Sequence, residues 1–321
     1  MTYHCSLRQA GCPSDQIAFP ERPARVLRTG VCADPRRCLR IALSLGALAM
    51  LLFVSTCQGE ENEEQQRAQL LEQMRSLAEH TTVNFATSER RIEFVRNPVF
   101  RYADQPRQFI DATLWVWTDA GRPAAFQKIE AMEFADKETQ PPLWQFCFAS
   151  VSQDLLVAQW PEGRPFRSTE PGVSFQALAE TPAVATDNNK RKRQAREIVR
   201  NFSARIVTNP KENTTQEMRL LTTPIFDYHD PKTGEFRGAV FGLSTNGTNP
   251  DVLIVLEVRG EEGKLGWHFA PARMTSGAVT LTYGDAKVWE TNWLNAGEGP
   301  FPTWTYFVAP RVPPDDKGNQ P

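Results

Sequence analysis

Two stretches decide the fold: NPVFRYADQPRQFIDATLWVWTDAGRPAAFQKIEAM, residues 97–132, and TPIFDYHDPKTGEFRGAVFGLSTNGTNPDVLIVLEVR, residues 223–259. Pro98, Phe100, Tyr102 and Asp104 of the first match Pro224, Phe226, Tyr228 and Asp230 of the second at one constant offset. After a one-residue insertion, Phe109, Ala112, Pro123 and Glu130 match Phe236, Ala239, Pro250 and Glu257. Further on, Trp144-Gln-Phe146 matches Trp267-His-Phe269, and Trp160 matches Trp289. The chain thus repeats itself in order, spacing and rhythm, with two copies rather than the three or more a solenoid needs.

Within each copy the local signals are those of strands. Residues 91–102, 110–118, 124–134, 143–151 and 155–160 of the first copy are rich in aromatic and β-branched residues and are separated by turn-forming Asp, Gly and Pro. No helical pattern of ten residues falls between them, so antiparallel pairing is expected. The run Val252–Leu256 (VLIVL) has no polar alternation and predicts a strand buried on both faces.

An amphipathic stretch precedes each copy. In residues 60–82, Leu70, Met74 and Leu77 recur at helical spacing, with Leu71 and Ala78 widening the stripe and acidic residues at its start. In residues 188–206, Ala195, Ile198, Val199, Phe202 and Ile206 read as one helical face. The basic run Lys190–Arg193 at its start reads as a solvated helix end. The expected fold class is therefore α+β. It consists of two tandem homologous units, each an amphipathic helix followed by an antiparallel meander of about five strands, packed on each other about a pseudo-twofold.

The amino-terminal part has a different character. Residues 41–56, IALSLGALAMLLFVST, carry no charge and follow Arg36, Arg37 and Arg40. Sixteen apolar residues are short for a membrane span, which needs about 20, and suit the apolar core of a signal peptide behind a basic segment. Val54-Ser55-Thr56-Cys57 resembles the short motif before a lipidated cysteine in bacteria, departing from it at Thr56. A lipidated Cys57, or residues 41–56 themselves, would hold the protein at a membrane surface. The domain organisation read from the chain is a leader over 1–40, the apolar segment over 41–57, a first repeat over 58–160, and a Pro-, Gly- and Ser-rich linker over 161–187. A second repeat over 188–309 and a tail over 310–321 follow.

Composition narrows the function classes. With 321 residues, 40% apolar and 23% charged, a packed core is expected and whole-chain disorder is not. Residues 1–57 hold seven Lys and Arg against three Asp and Glu, whereas residues 58–321 hold 29 against 35. The exported part is acidic, which argues against nucleic-acid binding. Five of the six cysteines lie in residues 1–57, so the remainder, with Cys147 alone, has no internal disulfide. There is no phosphate-binding loop, nucleophile elbow, HExxH or Rossmann glycine pattern, and no cofactor is expected.

Four features carry what chemistry remains. Glu130 and Glu257 end apolar strands at matching places, and as an acid–base pair in one groove between the copies they suggest a hydrolase. Asp227, His229 and Asp230, joined by His268, make a candidate metal set, although a strand end followed by an Asp-initiated turn also accounts for them. Trp115 and Trp117 share a strand face and have no aromatic counterpart in the second copy, where Gly242 and Ser244 stand, so that face is the expected interaction surface for a protein or small-molecule partner. The apolar segment ending at Cys57, the string NPDVLIVLEVR (residues 249–259) and the later Trp-x-Phe resemble exported proteins of planctomycete bacteria. That resemblance implies export and no particular activity. The sequence reading is of an exported, membrane-tethered, non-enzymatic binding or scaffold protein of the bacterial envelope, with the hydrolase as its alternative.

Overall fold

A computed structural model describes residues 64–136, 140–161, 165–261, 263–295, 299 and 301–311, all within one compact unit that spans Glu61–Pro321. The leader, the apolar segment and Cys57 lie outside the described residues. Among the described residues, strands dominate and form three sheets in which every pairing is antiparallel. No described helix is long and apolar enough to cross a membrane.

Helix α1 covers residues 64–79 and leads into β1 (Thr82–Phe85). The first large sheet contains β2 (Glu93–Phe94), β3 (Phe100–Asp104), β4 (Phe109–Asp119), β5 (Arg122–Met132) and β6 (Leu143–Ser150). Next come β7 (Leu156–Gln159) and β8 (Phe166–Arg167), which pair with β1 in a small sheet of order β1-β7-β8. The second large sheet begins with β9 (Gln176–Ala177), and helix α2 (Asn188–Val199) follows. Strands β10 (Phe202–Asn209), β11 (Thr214–His229), β12 (Phe236–Ser244), β13 (Val252–Arg259), β14 (Gly266–Arg273), β15 (Val279–Tyr283) and β16 (Ala286–Glu290) complete it in the order β16-β15-β10-β11-β12-β13-β14-β9. The last strand, β17 (Trp304–Pro310), returns to the first sheet beside β6.

The core explains this order. The large sheets face each other through Leu114, Val116 and Phe126 on one side and Ile225, Val240, Leu253 and Val255 on the other. The outer face of the first sheet, with Trp115, Trp117, Ile129 and Phe148, is covered by Met74 and Ala78 of α1 and by Val83, Phe85 and Leu156 of the small sheet. The outer face of the second, with Phe241, Ile254, Leu256 and Phe269, is covered by Ala195, Ile198 and Val199 of α2 and by Phe202, Ala204 and Leu281. The central strands are therefore buried on both faces, VLIVL among them.

Three expectations are corrected. The fold is mostly β, not α+β with an amphipathic helix per repeat, because strands supply much of the cover that helices were expected to give. Neither large sheet is a self-contained meander. The strand expected over 155–160 leaves the first sheet to pair with β1, β9 from the Pro-rich stretch closes the edge of β14, and β17 closes the edge of β6. An open edge presents unpaired N–H and C=O groups, and distant segments of the chain satisfy them here. The face read as one helix over 188–206 is split. The helix ends at Val199, and Phe202, Ala204 and Ile206 are the buried members of a period-two strand. Asp187 caps α2 by accepting the Lys190 N–H at 2.9 Å, while Arg191 is buried and donates to the Ala185 and Phe236 carbonyls.

Candidate functional site: two polar pockets crossed by reciprocal turns

Two ladders carry matching residues. In the first sheet Tyr102, Ala112, Glu130 and Gln145 lie side by side across β3, β4, β5 and β6. In the second, Tyr228, Gly238, Glu257 and His268 lie side by side across β11, β12, β13 and β14. Sequence matching pairs Ala112 with Ala239, but strand pairing puts Gly238 between Tyr228 and Glu257, the place Ala112 holds between Tyr102 and Glu130. The space explains the glycine: a Cβ on Gly238 would sit 2.5 Å from the Tyr228 hydroxyl oxygen and 2.6 Å from the Leu256 carbonyl oxygen.

Each large sheet sends a turn to the other's tyrosine–glutamate pair. The β4–β5 turn, with Ala120 at φ +49° and Gly121 at φ +81°, brings Gly121 against the His229 carbonyl and Arg122 onto Glu257. The β12–β13 loop brings Gly247 against the Ala103 carbonyl and Asn249 onto Glu130. In both loops the residue that crosses directly precedes a proline, Pro123 or Pro250.

The first pocket, about 300 Å³, is built around Glu130, which is 1% exposed. Glu130 Oε1 accepts from the Tyr102 hydroxyl at 2.7 Å and from Asn249 Nδ2 at 3.3 Å, and Oε2 accepts from Gln145 Nε2 at 2.8 Å. Lys128, 2% exposed, donates from Nζ to Asn249 Oδ1 at 2.7 Å and to the Met274 carbonyl at 3.2 Å. Arg107 holds Asp251 by two hydrogen bonds, 2.7 and 3.0 Å, and lies 3.4 Å from Asp104. Burial pushes the Tyr102 hydroxyl well up, with the Glu130 charge adding to it, and pushes the Cys147 thiol up for the same two reasons. Burial alone would raise the Asp251 carboxyl too, but the Arg107 charge and hydrogen bonds overcome it and hold that group below its ordinary value.

The second pocket, about 370 Å³, lies where the β4–β5 turn meets β11, β12 and β13. Arg122 donates from Nε to Glu257 Oε2 at 3.0 Å, and its Nη2 lies 2.9 Å from the same oxygen as an ion-pair contact. Arg237 binds Asp230 at 2.9 Å, and Asp119 pairs with Arg90 at 2.8 Å. The Asp230 carboxyl is pushed down to about 2, first by the hydrogen bond from Arg237 and then by the Thr233 and Lys232 N–H groups. The guanidiniums of Arg122 and Arg259 lie 5.0 and 4.2 Å from the ring centre of Phe175. The Tyr228 hydroxyl is buried, and burial followed by the nearby Glu257 charge pushes it well up. It lies close to Glu257 and Arg122 without a well-formed hydrogen bond to either.

The sequence-predicted residues separate accordingly. Glu130 and Glu257 line different pockets that share no lining residue, so one groove with an acid–base pair is not formed. Asp227 pairs with Lys192 at 2.9 Å and Asp230 with Arg237, while His229 packs edge-on against Phe236. His268 stands across from Glu257, and its Nδ1 is 3.3 Å from the Gly266 carbonyl. Among the described residues no group of three or more His, Cys, Asp or Glu is placed to hold a metal ion. Trp115 and Trp117 are corrected from interaction surface to core. They are 0% and 2% exposed, pack on Phe94, and Trp115 Nε1 donates to Thr113 Oγ1 at 2.8 Å. An aromatic pair on one strand face also suits a covered sheet, and α1 with the small sheet provides that cover.

Sequence reading missed Arg107, Lys128, Asn249 and Asp251 in the first pocket and Arg122 in the second, where Arg122 and not the neighbouring Arg259 pairs with Glu257. Two signals pointed to them. One is a lysine inside the apolar strand AAFQKIEAM, and the other is the polar residue before each matched proline. The chain matches no family model, no curated protein and no solved structure.

Proposed function

We propose that this chain is a non-enzymatic binding or scaffold protein of a bacterial envelope, held at a membrane surface by residues 41–56 or by Cys57. The observation that carries the reading is the occupancy of Glu130. Oε1 accepts from Tyr102 of the first sheet and from Asn249 of the loop the second sheet sends across, and Oε2 accepts from Gln145, so the buried group acts as a clasp between the sheets. The neighbouring hydroxyl and thiol are held in their neutral forms, which suits a structural seam and not a nucleophile. The acidic exported part and its basic leader support the location.

A melting experiment tests the role of Glu130 without a known ligand. Replacing a catalytic carboxylate commonly leaves stability unchanged or raises it, whereas breaking a buried clasp lowers it. Glu130→Gln turns an amide toward a donor it cannot satisfy and is expected to cost about 1–3 kcal/mol. At roughly 2–4 °C per kcal/mol for a domain of this size, the melting temperature falls by several degrees. An unchanged or raised melting temperature would overturn the clasp role of Glu130. Labelling cells with a radioactive fatty acid, wild type against Cys57→Ser, tests the tether: label on the wild type alone identifies Cys57 as the anchor. An unlabelled protein found in the membrane fraction assigns anchoring to residues 41–56, and an unlabelled soluble one overturns the tethering.

A further inference from the structure

We propose that the second pocket is a binding site for a small organic oxyanion, a carboxylate or a phosphate monoester, recognised by Tyr228 and Arg259. This goes beyond the envelope reading and rests on the pocket alone.

The two ladders provide an internal comparison. In the first, the Tyr102 hydroxyl donates a hydrogen bond to Glu130 at 2.7 Å, and the crossing residue Asn249 is neutral. In the second, the crossing residue is Arg122, which donates from Nε to Glu257 and forms an ion pair with it. Tyr228 is left with a buried hydroxyl that lies near Glu257 and Arg122 but makes no well-formed hydrogen bond. Buried donors are mostly satisfied, and this one lines a cavity, where a ligand oxygen could meet it.

The charges point the same way. Each carboxylate that lines the pocket already has a guanidinium: Asp119 has Arg90, Glu257 has Arg122, and Asp230 has Arg237. Arg259 is the cation left over. Its Nη2 donates to the neutral Gln153 Oε1 at 3.0 Å, its Nη1 is buried without an acceptor, and no described carboxylate pairs with it. Stacking on Phe175 at 4.2 Å fixes the plane of the guanidinium. A planar fork of donors and a phenolic O–H among the residues that line one cavity match an acceptor with two or more oxygens and a negative charge. The volume of about 370 Å³ leaves room for a small body behind that head.

Calorimetric titration of the protein with acetate, inorganic phosphate and neutral acetamide tests the site, with Tyr228→Phe, Arg259→Gln and Tyr102→Phe as variants. Tyr228→Phe removes a hydroxyl without a well-formed hydrogen bond, so its melting temperature should stay close to that of the wild type. Saturable binding of acetate or phosphate is expected, weakened at least tenfold in Tyr228→Phe and in Arg259→Gln and unchanged in Tyr102→Phe, with no binding of acetamide. Whichever anion binds more tightly assigns the head group as carboxylate or phosphate. Absence of saturable anion binding, equal binding of acetamide, or undiminished affinity in the Tyr228→Phe Arg259→Gln double variant would overturn the proposal. None of those results bears on membrane fractionation, so the tethering and this site fail separately.

Discussion

At the scale of single residues, the chemistry of this protein is set by what each buried polar group touches. Gly238 is the sharpest steric case, because the Tyr228 hydroxyl occupies the space a side chain would need. Gly238→Ala is expected to cost about 1–3 kcal/mol through overpacking, read as a lower midpoint in a urea melt. The matching place in the first ladder already carries an alanine, Ala112, and there the tyrosine reaches its glutamate. Asp251 makes an electrostatic prediction. Its folded-state pKa is depressed, so its pairing with Arg107 contributes stability above the ordinary carboxylate range, and that contribution is lost as pH falls through the folded value. Asp251→Asn should lower stability at neutral pH and flatten the acid limb of a stability–pH profile. A variant with an unchanged acid limb would remove Asp251 from the acid transition.

At the scale of elements, the turns do more than connect strands. The β4–β5 turn has two successive residues at positive φ, the geometry in which Asn-Gly is preferred and alanine is strained. Ala120→Asn is therefore expected to stabilise the protein by about 0.5–1 kcal/mol, as an L-alanine loses roughly 1–2 kcal/mol in that region and asparagine loses less. Thermal melting of the variant checks this, and a fall in melting temperature would mean that the alanine methyl makes a contact worth more than the strain. Strand and turn existence was legible from composition, because β-branched and aromatic runs between Gly and Pro depend on local sterics. The end of α2 was not. Ala195, Ile198, Val199, Phe202 and Ile206 fit a helical period, yet Phe202 and Ile206 also fit a period of two, and pairing with β11 and β15 chose the latter.

At the scale of the whole molecule, long-range closure holds the fold. Strand β17 pairs along β6 from Trp304 to Pro310 and contributes buried Trp304 and Ala309. A chain ending at residue 303 would expose the β6 edge and part of two core clusters. We expect such a truncation to lose its cooperative melt and to be cleaved rapidly by a low concentration of protease. A sharp melt near the wild-type temperature would show that the first sheet is complete without its last strand. The mostly-β outcome has the same origin, since edges and outer faces are covered by strands recruited from far along the chain as well as by the two helices.

The amino-acid sequence by itself determined the strands, their turns, the doubly buried VLIVL run and the recurrence of the Tyr, Glu and Trp-x-Phe positions, since these rest on periodicity and on the conformational limits of Gly, Pro and branched side chains over a few residues. Only the tertiary structure decided that Trp115 and Trp117 are core, that Glu130 and Glu257 stand in separate pockets, and that Arg122 and Asn249 cross between sheets to reach them. Those contacts join residues more than a hundred positions apart, where no local propensity operates and the partner is chosen by how the two sheets pack face to face.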